Sequence, residues 1–211
     1  MANEEIRKKA QSVFVTLDEL DLTNEIRDNL YSYIEMLGAH DPATCEHCLR
    51  VSVRGVRVAK FLNLDPKPMF YAGLLHDFGK VKVNSEVLNK IKGFSEEDFK
   101  EVRKHPLVGY FILRKVFPFS AEVLLRHHRF QENAYPKRLP KSSCCLREQQ
   151  LIERYARLLA LVDFYDALIT RPNEFLPQGM PSSRDSTKTY MIQHNPDQKE
   201  LINQLFLLEI F

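Results

Sequence analysis

The sequence predicts an all-α protein, on three observations. Apolar residues recur at three- and four-residue spacing along most of the chain. No segment alternates apolar and polar residues over more than a few positions. Proline and glycine fall mainly between the periodic segments, where they punctuate helices.

Taken in order, Thr23 to Leu37 reads as a helix with Thr23 or Asn24 as its N-cap. Thr44 to Leu62 follows, entered through Asp41-Pro42, with Val51, Val58 and Leu62 on one stripe with His47. Lys67 to His76 is a short helix that turns at Gly79. Ser95 opens another, with Asp98 three residues on in the manner of a capping box. Pro106 to Val116 and Ser120 to His128 give two more, and the polar run 129–145, with Pro136 and Pro140, reads as a loop over something. Arg147 to Thr170 is the longest helix. After Pro172, Pro177, Gly179 and Pro181 come short helices near Thr187 to Ile192 and Gln198 to Leu208.

Composition narrows the function. The 211 residues suit one main domain, and the net charge of +2 gives no basic field for general nucleic-acid binding. No apolar run approaches the ~20 residues of a membrane span. The most apolar stretch, Leu158 to Ile169, carries Asp163 and Asp166. The first ten residues are charged and lack the apolar run of a secretory signal, so a cytoplasmic location is expected. The 4 cysteines are too few for a disulfide scaffold, and one C-x-x-C, Cys45 and Cys48, is a weak metal signal; buried or partly exposed thiols are expected.

The chemical resource is histidine. A lone buried histidine is more often a satisfied core residue, and a lone His-Asp dipeptide means little. The ordered set is different: His47, His76-Asp77, His105, His127-His128, then Asp163 inside an apolar helix. A carboxylate there is costly unless it is paired or metal-bound, and Arg157 is the nearest cation in sequence to pair with it. Imidazoles with carboxylates suit a borderline divalent metal. His40 and His194 read as loop residues. Arg50 lies one turn after His47 and is a candidate substrate contact, whereas Arg54 and Arg57 read as a solvated basic face. Asp166 reads as a partner of a ligand rather than a ligand. Arg171, after the longest helix, is a candidate anion contact.

In this order of residues the chain resembles the HD-domain superfamily of metal-dependent phosphohydrolases. The segments Leu74-Leu75-His76-Asp77-Phe78-Gly79-Lys80, His105-Pro106-Leu107-Val108-Gly109 and Asp163-Phe164-Tyr165-Asp166-Ala167-Leu168 are similar to the HD-GYP branch. The resemblance implies an HD-domain helical bundle over residues 41–175, a helical lead-in over 1–40, and a short C-terminal helical extension over 176–211 packed on the core. It implies two divalent transition metal ions, iron or manganese first and zinc or nickel next. His47, His76, Asp77 and Asp163 would hold one. Asp77, His105, His127 and His128 would hold the other, with Asp77 bridging. Asp77 and Lys80 would be catalytic, Lys80 meeting a substrate phosphate. Some members of the branch hold a third metal through a Glu four residues before the first His; that position is Ala43, so two metals are expected.

The chain departs from the branch after the His doublet. The run Arg129-Phe130-Gln131-Glu132-Asn133-Ala134-Tyr135-Pro136 keeps Tyr-Pro, with Tyr135 as a candidate substrate contact. It lacks the branch's Glu and both glycines and is one residue shorter. The implied activity is a phosphodiesterase on a nucleotide or cyclic dinucleotide, using a metal-bridging hydroxide. The alternatives are an HD-type diiron oxygenase and an inactive nucleotide-sensing module. The implied partner is a small phosphorylated or nucleotide substrate. The C-terminal helix, with Leu201, Leu205, Phe206, Leu208 and Phe211, is expected on the core; a second copy in a homodimer is the other surface such a face fits.

Overall fold

Local chemistry sets the helix ends. In the computed structural model, which describes residues 13–15, 18–90, 93–142, 144–170 and 183–211, Thr23 caps α1 (Asn24–His40) by accepting from the Ile26 N–H. Asp41 accepts from Ala43 N–H and Thr44 Oγ1, and Pro42 opens α2 (Pro42–Phe61) with its φ already helical. Asp65 and Pro66 repeat the device at α3 (Pro66–Leu75). A 3-10 turn, Phe78–Lys82, leads to the short α4 (Ser85–Leu88), then α5 (Glu96–Val102) with the Ser95/Asp98 capping box. Next come α6 (His105–Leu113), α7 (Pro118–Arg126), a 3-10 turn (His127–Phe130) and α8 (Leu146–Thr170). The chain finishes with α9 (Arg184–His194) and α10 (Lys199–Leu207). No strand occurs among the described residues, so the class is all-α. None of their helices is long and apolar enough to cross a membrane.

Some expectations need correction. His40 and His194 end helices rather than lying in loops, and His40 Nε2 lies 2.8 Å from the Val83 carbonyl. The helix expected to reach His128 stops at Arg126 and tightens into a 3-10 turn. That over Pro106 to Val116 ends at Leu113. The four residues of α4 are too few to show a helical period, and it was not foreseen. Arg171 lies outside the described residues.

The core forms where α2 and α3 pack together, with α8 and α7 against them. Val51, Met69, Phe70, Leu124 and Leu159 are fully buried there. Close approach needs glycine at two points. A Cβ on Gly73 would come within 2.8 Å of the Ser52 backbone, so glycine lets α3 lie on α2. A Cβ on Gly79 would lie 2.0 Å from the His105 carbonyl oxygen, so glycine lets the first 3-10 turn meet the start of α6. Both of those neighbours are backbone and cannot swing aside. Gly79→Ala is therefore expected to destabilise the fold by about 3 kcal/mol or more. Thermal unfolding checks it, and a loss below about 1 kcal/mol would contradict the packing argument.

The C-terminal helices cover the end of α8. Phe211 stacks on Tyr165 with ring centroids 4.5 Å apart, and Phe206 meets the same ring edge-on at 5.7 Å. Ile202 and Leu205 are fully buried in the common core, while Leu208 is exposed. Arg184 donates to the Phe206 and Phe211 carbonyls.

Candidate metal centre

Three histidines of the centre are set by helix ends in the same way. The last turn of a helix has carbonyls without an intrahelical partner. His76, just past α3, lies 2.8 Å through Nδ1 from the Gly73 carbonyl. His105, three residues past the end of α5, reaches the Val102 carbonyl at 2.7 Å. His127, just past α7, reaches the Leu124 carbonyl at 2.5 Å. A carbonyl only accepts, so each Nδ1 carries the proton and each Nε2 is left with a lone pair. The rings are buried and the Nε2 atoms point inward together.

The carboxylates complete the centre. Asp77 follows His76 at the entry to the 3-10 turn, its Oδ1 3.1 Å from His105 Nε2 and its Oδ2 2.6 Å from Lys80 Nζ. Asp163 comes from the middle of α8, with Oδ1 3.0 Å from His47 Nε2 and 3.8 Å from His76 Nε2. His47 and His76 bring their Nε2 atoms within 3.2 Å. Three groups of donors result, each with ligand atoms within 4.8 Å of one another: Asp77, His105, His127 and His128; His47, His76 and Asp163; and Cys48, His76 and Asp77.

The donor set fits a divalent cation. His105 Nε2 and His127 Nε2 are buried with no hydrogen-bond partner, His105 Nε2 lying beside Asp77 without hydrogen-bond alignment. Buried polar atoms are rarely left so, and a cation would satisfy them. Electrostatics hold the same state. Burial lowers His76, and lowers His127 to about 3, so these rings stay neutral. Burial alone would raise Asp77 and Asp163, but the Lys80 ammonium at the first and the hydrogen bond from His47 at the second hold both carboxyls well below their usual range. Neutral imidazoles and ionised carboxylates are the forms that bind metal.

His47 is held differently. Its Nδ1 lies 2.8 Å from Asp166 Oδ2. Asp166 is fully buried and takes Arg50 Nη2 at 2.9 Å and Arg54 Nη1 at 2.9 Å. A carboxylate behind a ligating histidine fixes the ring and raises its basicity. Burial pulls His47 down, but hydrogen bonds to Asp163 and Asp166 outweigh it and lift the ring to about 9.

Arg54 thus corrects the expectation of a solvated face; it also lies 4.8 Å from the Tyr165 ring centre. Arg57 donates to the Glu209 carbonyl. Arg157 is not the partner of Asp163: it binds Asp197 at 2.7 Å and Asn195 at 2.9 Å. The spacing 47, 50, 54 runs along one face of α2 and was the available signal for Arg54. Arg50 gives its guanidinium to Asp166 while keeping its side chain 38% exposed.

At the mouth, the Tyr135 ring stacks on His128 with centroids 4.4 Å apart. Cys48 Sγ lies 3.9 Å from His76 Nδ1, but that nitrogen serves Gly73 and burial holds the Cys48 thiol well above its usual range. Burial pushes Cys45 up to about 11, so neither thiol is a reactive thiolate.

The family model for the HD domain matches residues 44–168. A cyclic di-GMP phosphodiesterase of Pseudomonas aeruginosa is 32% identical over 72% of this chain and 36% of its own length. A cyclic di-GMP phosphodiesterase response regulator of Xanthomonas campestris is 27% identical over 80% of this chain and 45% of its own. A 3'3'-cGAMP-specific phosphodiesterase of Vibrio cholerae is 27% identical over 63% of this chain and 30% of its own. The chain therefore spans less than half the length of each of these relatives.

Proposed function

The chain belongs to the HD-domain family, and from that premise we propose that it is a divalent-metal-dependent phosphodiesterase acting on cyclic dinucleotides. The observation that carries this is the pair of neighbouring donor groups with Asp77 between them, Oδ1 3.1 Å from His105 Nε2 and Oδ2 3.5 Å from His76 Nε2, and two imidazole nitrogens buried and unpartnered. The relatives named for cyclic dinucleotide hydrolysis support hydrolysis over oxygen chemistry or a silent sensor. They support the class of substrate, while the altered loop 129–142 leaves the choice of bases to this chain's own residues.

In this reading two ions are held, iron or manganese, one by Asp77, His105, His127 and His128 and one by His47, His76, Asp77 and Asp163. Bound there, divalent cations would polarise a phosphoryl group as Lewis acids and lower the pKa of a water towards neutrality, so that a nucleophile is available at neutral pH. The chain's own groups do the positioning. The carbonyls of Gly73, Val102 and Leu124 fix three imidazole tautomers before any ligand arrives. Lys80 stands beside Asp77 as a compact charge for a phosphoryl oxygen. Tyr135, stacked on His128, is the proposed contact for a ribose or base, Arg50 a proposed anion contact, and Arg171 one proposed from its sequence position alone. A cytoplasmic location completes the proposal.

Elemental analysis of anaerobically purified protein, with turnover of bis(p-nitrophenyl) phosphate after manganese or iron addition, tests it. About two ions per chain with metal-dependent turnover is expected. No metal after reconstitution would overturn the centre. Metal without turnover of this diester or of a cyclic dinucleotide would overturn the phosphodiesterase.

A further inference from the structure

Arg103 ends α5, two residues before His105, and is exposed at the rim of the donor cluster. Its guanidinium carbon lies 5.7 Å from the centre of the Phe99 ring and 5.7 Å from that of Tyr135. Tyr135 in turn stacks on His128 and meets His105 edge-on at 6.1 Å. A continuous stack thus runs from two histidines of the centre, through one tyrosine, to an arginine.

The carboxylates of α5 are each taken by a lysine: Glu96 and Glu97 by Lys100, Asp98 by Lys90, Glu101 by Lys104. Among the described residues no carboxylate pairs with Arg103. A guanidinium carried over aromatic rings by its carbon still has N–H donors to give, in the fork that matches two phosphate oxygens.

We propose that Arg103, held by Phe99 and Tyr135, is a second-phosphate subsite, so that the substrate class is one carrying a phosphate beyond the one cleaved. The assignment rests on the phosphodiesterase reading. A cyclic dinucleotide with one phosphodiester at the donor cluster has its other phosphate one nucleoside away, across the Tyr135 ring. A diester whose single phosphate is held at the donor cluster has no second phosphate to offer Arg103.

The test compares the manganese-loaded wild-type chain with Arg103→Gln and Arg103→Lys on cyclic di-GMP and on bis(p-nitrophenyl) phosphate. With Arg103→Gln, KM for cyclic di-GMP is expected to rise about tenfold, with kcat within about twofold. Lysine keeps the charge without the fork and is expected to recover part of that loss. Hydrolysis of the single-phosphate diester is expected to stay as in wild type. Equal losses on both substrates would reduce Arg103 to a structural residue, and an unchanged KM would remove the subsite. If the wild-type chain hydrolyses neither compound, the phosphodiesterase reading fails separately. Equilibrium binding of fluorescent cyclic di-GMP then decides the subsite: about tenfold weaker binding by Arg103→Gln supports it, and equal or absent binding overturns it.

Discussion

Asp77→Ala is expected to leave metal-dependent turnover of bis(p-nitrophenyl) phosphate at least about 1,000-fold below wild type. This one side chain touches both donor groups. Oδ1 is 3.1 Å from His105 Nε2, while Oδ2 is 3.5 Å from His76 Nε2 and 2.6 Å from Lys80 Nζ. Its removal takes a negative charge from a cluster of neutral imidazoles, which then have less to hold a cation. It also leaves the Lys80 ammonium, only 13% exposed, without its counter-charge. Metal content is expected to fall with turnover. Asp77→Asn separates shape from charge, since the amide fills the same space and is neutral. Circular dichroism guards against a simple failure to fold. Turnover of Asp77→Ala within about tenfold of wild type would dismiss the shared role of this carboxylate.

Asp166→Ala is expected to lower stability by about 3–5 kcal/mol and weaken metal affinity by about 10–100-fold. Asp166 touches no cation directly in this scheme. It gathers His47, Arg50 and Arg54 around a fully buried carboxylate. Without it two guanidiniums lose their partner on one face of α2, and the His47 ring loses the bond that fixes its plane. Burial alone would raise its carboxyl, but hydrogen bonds from His47 and Arg50 bring it down to about 2. The folded value is thus below the unfolded one, so its contribution is present above about pH 4 and fades as pH falls toward about 2. Denaturant unfolding and metal titration measure the two effects. A variant as stable as wild type, with unchanged metal affinity, would show Asp166 to be a bystander.

Much of this fold can be read from short-range chemistry. Thr23, Asp41-Pro42, Asp65-Pro66 and Ser95 mark helix starts because a cap is made within three residues of itself. The histidines and Asp163 stand out because such side chains rarely occur on apolar helix faces without a partner. What the sequence hides depends on distant segments. Arg54 looks like any charged helix residue until α8 brings Asp166 to it from 112 residues away. His40 looks like a loop residue until Val83 arrives to meet it. Arg103 shows its place only once the loop carrying Tyr135 folds back over His128. In each case the local pattern is compatible with solvent, and the partner comes from elsewhere in the chain.

The histidines that lean on Gly73, Val102 and Leu124 each stand at the end of a separate helix, anchored three residues back. Every such anchor is therefore self-contained. Insertions and deletions in the longer connections, such as the shortened run after His128, need not disturb the imidazoles, because the one connection an anchor crosses is the two-residue Arg103–Lys104 step before His105. One residue added inside the last turn of α3, α5 or α7 would swing its histidine about 100° around the helix axis. Lineages of such proteins should consequently vary freely in the lengths between these helices while keeping the final turns fixed in length, so that new specificities arise by rebuilding connections around an unchanged cluster of nitrogen donors.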